Sequence, residues 1–232
     1  MTNLFLLSAQ RRATKGVAVG GNYTWSHCIG DLSGSQDGGG GTPGAAYLDP
    51  NNRHFDRGDC AGSRRQIFNT TVVAETPQFG NLNFRLLASG WRLSGIYRRS
   101  SGILLTLTSG VDRLLNGVQN QRPQQISANP YGNKSLTNYL NPGAFTLPAV
   151  GSLGNMGPSS LVGHTTWQFD AALSRVFRLH EIQSLEARAE AYNVTNSLRP
   201  GNPNTGLNQG TFGQITTALD PRILQFALKY IF

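Results

Sequence analysis

Along the last eleven residues, Arg222 to Phe232, every second side chain is apolar. Leu224, Phe226, Leu228, Tyr230 and Phe232 share one face, and Ile223, Gln225, Ala227, Lys229 and Ile231 share the other. Side chains alternate across a strand with period two, so this segment reads as a strand with one apolar and one mixed face. Its length suits the roughly 9 to 11 residues with which a tilted strand crosses a bilayer, facing lipid on one side and a polar lumen on the other.

The same pattern recurs upstream. Residues 183–194 set Glu186, Arg188 and Glu190 against Leu185, Ala187, Ala189 and Ala191; a helix is the rival there, but period two separates charge from alanine more cleanly than period 3.6. Residues 166–177 alternate Trp167, Phe169, Ala171 and Leu173 with Gln168, Asp170, Ala172 and Ser174, and a tight turn near 179–182 joins the two segments as a hairpin. Further strands are expected at 91–108, 66–75, 17–27 and 3–12, the last two meeting at Lys15 and Gly16. The gaps between these seven segments run short, long, short, long, short, long. Outer-membrane barrels have short periplasmic turns and long extracellular loops, so this alternation predicts an all-β, antiparallel transmembrane barrel segment with its C-terminus in the periplasm.

On that topology Tyr23, Trp25, Trp167 and Phe169 fall at the outer strand ends, and Trp91, Phe177, Tyr230 and Phe232 at the inner ends. Aromatic rings collect at both membrane interfaces, and these residues are expected to form two girdles. Asp170, Glu186, Arg188, Glu190, Gln225 and Lys229 are expected to face the lumen. The long connections, at about 29–63, 109–163 and 196–221, are rich in Gly, Pro, Asn and Ser; loops of such length are commonly functional or disordered. The Gly38–Gly41 run is expected to be mobile, and Ser135–Leu140 to form one helical turn before Asn141 and Pro142.

Composition narrows the classes. Charged residues make up 14% of the 232, against about 25% in typical soluble proteins, and Gly reaches 28. No run approaches the roughly 18 apolar residues of a membrane helix, so any crossing must use strands. The net charge of +8 comes from dispersed groups, including the pairs Arg11–Arg12, Arg64–Arg65 and Arg98–Arg99, without the aromatic interleaving of a nucleic-acid platform. Nucleic acid is therefore not an expected partner, whereas anionic outer-membrane lipid and lipopolysaccharide are. The apolar patch Leu4–Leu7 is too short for a secretory signal, so the sequence is expected to be the end of a longer exported polypeptide.

Several segments together resemble the C-terminal barrel portion of TonB-dependent outer-membrane receptors of the Oar-like type, which carry an N-terminal carboxypeptidase-regulatory-like domain. They include Asn22-Tyr-Thr-Trp-Ser-His, Gly90-Trp-Arg-Leu-Ser-Gly-Ile, Gln121-Arg-Pro, Leu140-Asn-Pro-Gly-Ala-Phe and Gly154-Asn-Met-Gly. Arg188-Ala-Glu-Ala-Tyr-Asn-Val-Thr-Asn, Gly201-Asn-Pro-Asn, Phe212-Gly-Gln-Ile-Thr and the tail from Asp220 continue the series. The resemblance implies a barrel of about 22 strands closed by a plug, of which this chain supplies about a third, and uptake of a nutrient ligand energised through TonB. It implies that TonB contacts lie in parts absent here, and that Phe226, Leu228, Tyr230 and Phe232 form the tail signal read by the barrel-assembly machinery. Pro158 and Ser159 depart from the basic residue such receptors would place there.

Other chemistry is sparse. Cys28 and Cys60 bracket the first long loop on the oxidising outer side, and a disulfide between them is expected; free thiols and a metal site are the alternatives, although His27 and His54 lack zinc spacing. Glu186 and Glu190 on one strand would stand roughly 13 Å apart, beyond a glycosidase pair, with Arg188 between them. Gly151, Gly154 and Gly157 have the wrong spacing for a dinucleotide loop. No nucleophile stands with a base, and neither catalysis nor a cofactor is expected. The competing functions are a nutrient receptor, a structural or adhesion barrel, and a soluble β-rich carbohydrate-binding module.

Overall fold

The period-two segments form strands that pair in sequence order in the computed structural model, which describes residues 1–14, 16–31, 47–49, 51–81, 85, 87–119, 121–179 and 183–232. The long strands are β1 (Thr2–Thr14), β2 (Val17–Asp31), β4 (Gln66–Glu75), β5 (Trp91–Ser100), β10 (Thr166–Arg178), β11 (Ser184–Tyr192) and β12 (Ile223–Ile231). Between them lie the short strands β3 (Arg57–Asp59), β6 (Leu104–Leu105), β7 (Gln124–Gln125), β8 (Phe145–Thr146) and β9 (Leu161–Val162). One sheet runs β1-β2-β4-β5-β10-β11-β12, with β3 attached to β2, and every pairing is antiparallel. The sheet is not closed: β1 and β12 each pair on one side only.

Register divides the side chains into two faces. One row crosses Ala74, Leu93, Leu173, Ala189 and Phe226, and is apolar throughout. A neighbouring row on the other face joins Asn22, Asn69, Arg98 and Gln168, and Asn69 Nδ2 donates to Asn22 Oδ1 at 2.9 Å. Among the described residues no protein layer covers the apolar face: Leu93, Leu173, Phe226 and Leu228 are all exposed, which in water would leave a large uncovered apolar surface. At the short-connection end Gly16 takes φ +83°, and a Cβ there would sit 2.5 Å from the Glu75 carbonyl, so the β1–β2 turn requires glycine.

The hydrophobic core lies off the sheet, in a lobe built by the long connections. Leu105, Leu107, Tyr139, Leu140, Ala144, Phe145, Met156, Leu161, Phe212 and Ile215 are buried together, with β6 paired to β9 and β7 to β8. This corrects two expectations. The segment 91–108 is not one strand: β5 stops at Ser100, because Gly102 lies so close to the Gly163 backbone that a Cβ would fall 1.8 Å from its carbonyl oxygen. Leu104, Leu105 and Leu107 then turn into the lobe. The helical turn forms later than expected, at Pro142–Ala144, where Pro sits at the first position and the Asn141 side chain accepts from the Gly143 N–H; residues 135–139 are bent without helix, and Leu140 bridges to Tyr131. The strands at 3–12 and 17–27 extend to β1 and β2 as given, that at 183–194 ends at Tyr192, and the tail strand ends at Ile231. The Gly38–Gly41 run lies outside the described residues.

Candidate functional site

The lobe is fastened to the polar face at the rim where the long connections arise. Asp170, only 7% exposed, accepts from Gln168 Nε2 at 2.6 Å and from the Asn193 backbone N–H at 2.9 Å. Asn193 is fully buried in the left-handed region, φ +52°, a conformation asparagine tolerates better than most residues. Its side-chain oxygen accepts from the Ser197 N–H and hydroxyl, each at 3.1 Å, and its amide donates to the Ser197 carbonyl. Two residues on, Arg199 reaches back to donate to Gln168 Oε1 and to the Asp220 carbonyl. From the segment just before β4, Arg64 donates to Ser100 Oγ at 3.0 Å and to the Ser101 carbonyl at 2.6 Å. Arg98 approaches Asp170 at 3.7 Å, too far for a hydrogen bond. These groups border a cleft of about 240 Å³ whose lining includes Arg64, Asn69, Arg98, Gln168, Arg199 and Leu219.

A second clamp ties the first long connection to the lobe. Arg122, 3% exposed, donates to Asp56 Oδ1, to the Met156 carbonyl and to the Phe55 carbonyl, each at 2.7 Å, with its guanidinium 4.4 Å from the Phe55 ring centroid. The other Asp56 oxygen accepts from the Leu48 N–H at 2.7 Å. Each guanidinium nitrogen and each carboxylate oxygen of this buried pair makes a hydrogen bond, which offsets the burial of two charges. Gln121 beside it is fully buried and accepts from the Arg113 and Leu114 N–H groups.

Gln121 also donates to Asp112, the hub of a small loop. Desolvation pushes the Asp112 carboxyl up, but the N–H groups of Gly117, Asn116 and Leu115 and the Gln121 amide outweigh it and hold the carboxyl below its ordinary value. The help given by these bonds is therefore complete above about pH 4 and is lost as pH falls through the lowered folded value. In D112N, hydrogen-exchange protection of the Leu115 and Gly117 amides should fall at neutral pH, and its remaining level should no longer change between pH 5 and 2.

Cys28 and Cys60 form a disulfide with Cα atoms 5.3 Å apart, closing a span of 32 residues in sequence. Beside it Asp59 receives Arg65 at 2.6 Å and stands 3.1 Å from His27 Nε2. On a chain-entropy model the bond is worth about 3–4 kcal/mol. Reduction should expose the segment between the cysteines to proteolysis while the sheet resists, with cleavage sites mapped by mass spectrometry.

The remaining expected residues are distributed as follows. Glu186, Arg188, Glu190, Gln225 and Lys229 share the polar face with Asp170: Glu186 stands opposite Lys229, and Glu190 opposite Gln225. Arg188 pairs along its own strand with Glu190 at 2.5 Å, and Tyr192 donates to the same Glu190 at 3.0 Å. None of these five lines the cleft. On the apolar face Tyr23, Trp25, Trp167 and Phe169 lie near the long-connection rim, and register adds Phe5, Phe68 and Tyr97 to that band, with Tyr97 6.3 Å from both the Phe68 and Trp167 rings. Near the opposite rim the Arg175 guanidinium lies over Trp91 at 5.1 Å and Phe177 at 4.7 Å, and Tyr230 belongs to the same band. Phe226, Leu228 and Tyr230 project from the apolar face of the unpaired edge β12, and Phe232 follows its end. Arg64, Arg98 and Arg199 were not singled out from sequence as a site. Period two does put Arg98 inward and Arg99 outward, but only the fold brings residues 64, 98 and 199 together.

A two-faced antiparallel sheet of strands 9 to 15 residues long, apolar on its unlayered side, with short connections at one rim and long ones at the other, is a transmembrane barrel wall. A family model, Outer membrane beta barrel domain, matches residues 3–225, and the chain belongs to that family. Its place is the bacterial outer membrane, with the apolar face toward lipid and the polar face toward the lumen. No curated protein and no solved structure matches it.

Proposed function

We propose that this chain is the C-terminal part of a TonB-dependent outer-membrane receptor that takes up a nutrient ligand. The observation that carries the reading is the lobe: the long connections fold into a packed body with its own core, anchored to the lumen-facing wall through Asn193 and Arg199. A receptor needs such a shaped outer mouth over its lumen, positioned by a rigid wall. The residues that build it include several of the segments that carry the resemblance, among them Gln121, Arg122, Leu140, Phe145, Asn193 and Phe212. In this reading the Phe226–Phe232 tail directs assembly, lipopolysaccharide contacts the outer aromatic band, plug and TonB contacts lie in other parts of the polypeptide, and catalysis plays no role. A structural or adhesion barrel without transport is the second reading, favoured by the disulfide that braces the loop between Cys28 and Cys60. Crosslinking in intact cells separates them. TonB should be captured with the whole polypeptide, and capture should depend on an energised inner membrane; consistent failure, with loss of surface attachment on gene deletion, would leave the adhesion barrel.

A further inference from the structure

The rim of the lumen wall carries a concentration of positive charge that neither the fold nor the family description accounts for. Arg64, Arg98 and Arg199 come from three separate segments, and all line the same cleft. Among the described residues, no carboxylate lines it. Asp170, the carboxylate that Arg98 approaches, has its Oδ1 occupied by Gln168 and the Asn193 N–H, and its Oδ2 meets Arg98 only at 3.7 Å.

Two of the three cations, Arg64 and Arg199, are answered by neutral groups, and the third, Arg98, by the Asp170 carboxylate at ion-pair distance. Arg64 is satisfied through a hydroxyl and a carbonyl, and burial pulls its pKa down from the ordinary arginine value. Arg199 meets an amide oxygen and a carbonyl, and its Nε–H is buried with no hydrogen-bond partner among the described residues. A buried donor without an acceptor is costly, and a guanidinium is shaped to bind two oxygens of one oxyanion. Thr166, Ser100, Asn69 and Gln168 supply neutral hydrogen-bonding groups around the same space, and Ile67 and Leu219 supply apolar wall.

We propose that this cleft is a binding site for a small oxyanion ligand, a carboxylate- or phosphate-bearing solute, held by Arg64, Arg98 and Arg199 beneath the loop lobe. A space of about 240 Å³ admits an anionic headgroup with a single sugar-sized body. The site rests on the polar face being the lumen wall and does not depend on transport, so its test and the TonB crosslinking can fail separately.

The test is calorimetric titration of the whole polypeptide, purified from outer membranes in detergent, with glucuronate, with inorganic phosphate and with glucose. At least one anion should bind, more weakly as salt rises, while glucose should not; the stronger anion identifies whether the carboxylate or the phosphate is preferred. R98Q, whose side chain is half-exposed and whose loss leaves the lobe's anchors in place, should weaken anion binding about tenfold or more. R92Q, on the same face near the opposite rim beside Glu75, should bind as the parent does. Absence of anion binding to the parent overturns the proposal, including the case in which another part of the polypeptide already fills the cleft. Equal loss in R98Q and R92Q overturns it as well, since that would reduce the effect to the general charge of the lumen. Heat-modifiable gel mobility confirms that each variant is folded before titration.

Discussion

Replacing Arg122 with alanine should release the first long connection from the lobe and leave the sheet standing. The substitution removes three hydrogen bonds and strands the Asp56 carboxylate, 2% exposed, without its cation. Breaking a buried pair from one side costs about 3–5 kcal/mol, because the remaining charge keeps its desolvation penalty and loses its compensation. Hydrogen exchange should rise sharply across residues 47–60 and 154–158, while the β5–β10 amides keep their protection. Exchange spread evenly over lobe and sheet would mean that the two unfold as one unit, contrary to separate cores. The double substitution D56L/R122M should recover much of the loss, since an apolar pair of similar volume carries no charge to desolvate.

Placing an arginine on the lipid face should be far more damaging than placing it one residue away. Leu173 occupies the centre of β10 between Leu93 and Ala189 on the apolar face, while Ala172 faces the lumen between Ser94 and Glu190. L173R should destabilise the folded barrel by about 2–4 kcal/mol, the cost of a basic residue at the midplane of an outer-membrane strand, whereas A172R should cost much less. Denaturant titrations of the whole polypeptide in lipid, read by heat-modifiable mobility, would measure the difference. Similar penalties for the two would reverse or abolish the assignment of faces.

The wall was legible in the sequence because its information is local. A strand between lipid and lumen must alternate, so residues 166–177 and 222–232 announce themselves without knowledge of their partners, and gap length supplies the topology. The lobe was not legible for the opposite reason. Leu107, Tyr139, Phe145, Met156 and Phe212 are spread through segments rich in Gly and Pro with no period, and what makes them a core is long-range packing. The Arg122–Asp56 pair joins residues 66 apart, and a lone arginine after Gln121 carries no mark of burial. The strand expected at 91–108 ran too long because alternation continues past Gly102; the close approach of Gly163, which ends it, involves a residue distant in sequence. The arginine cleft has the same character. Each pair of adjacent arginines is visible and period two turns Arg98 inward, yet that Arg64 and the loop residue Arg199 join it depends on strand register and on the return path of the chain after Asn193.

Ser100 and Thr166 face each other in the sheet, their hydroxyls 2.9 Å apart, although the whole of residues 101–165 lies between them. The connection thus leaves and re-enters the wall at neighbouring points, and its length is decoupled from the wall's geometry. Doubling such a loop adds only about 0.6 kcal/mol of closure entropy. Lineages sharing this wall are free to enlarge, shrink or exchange the mouth without shifting a single strand, so surface identity can diverge quickly while the spanning scaffold stays the same.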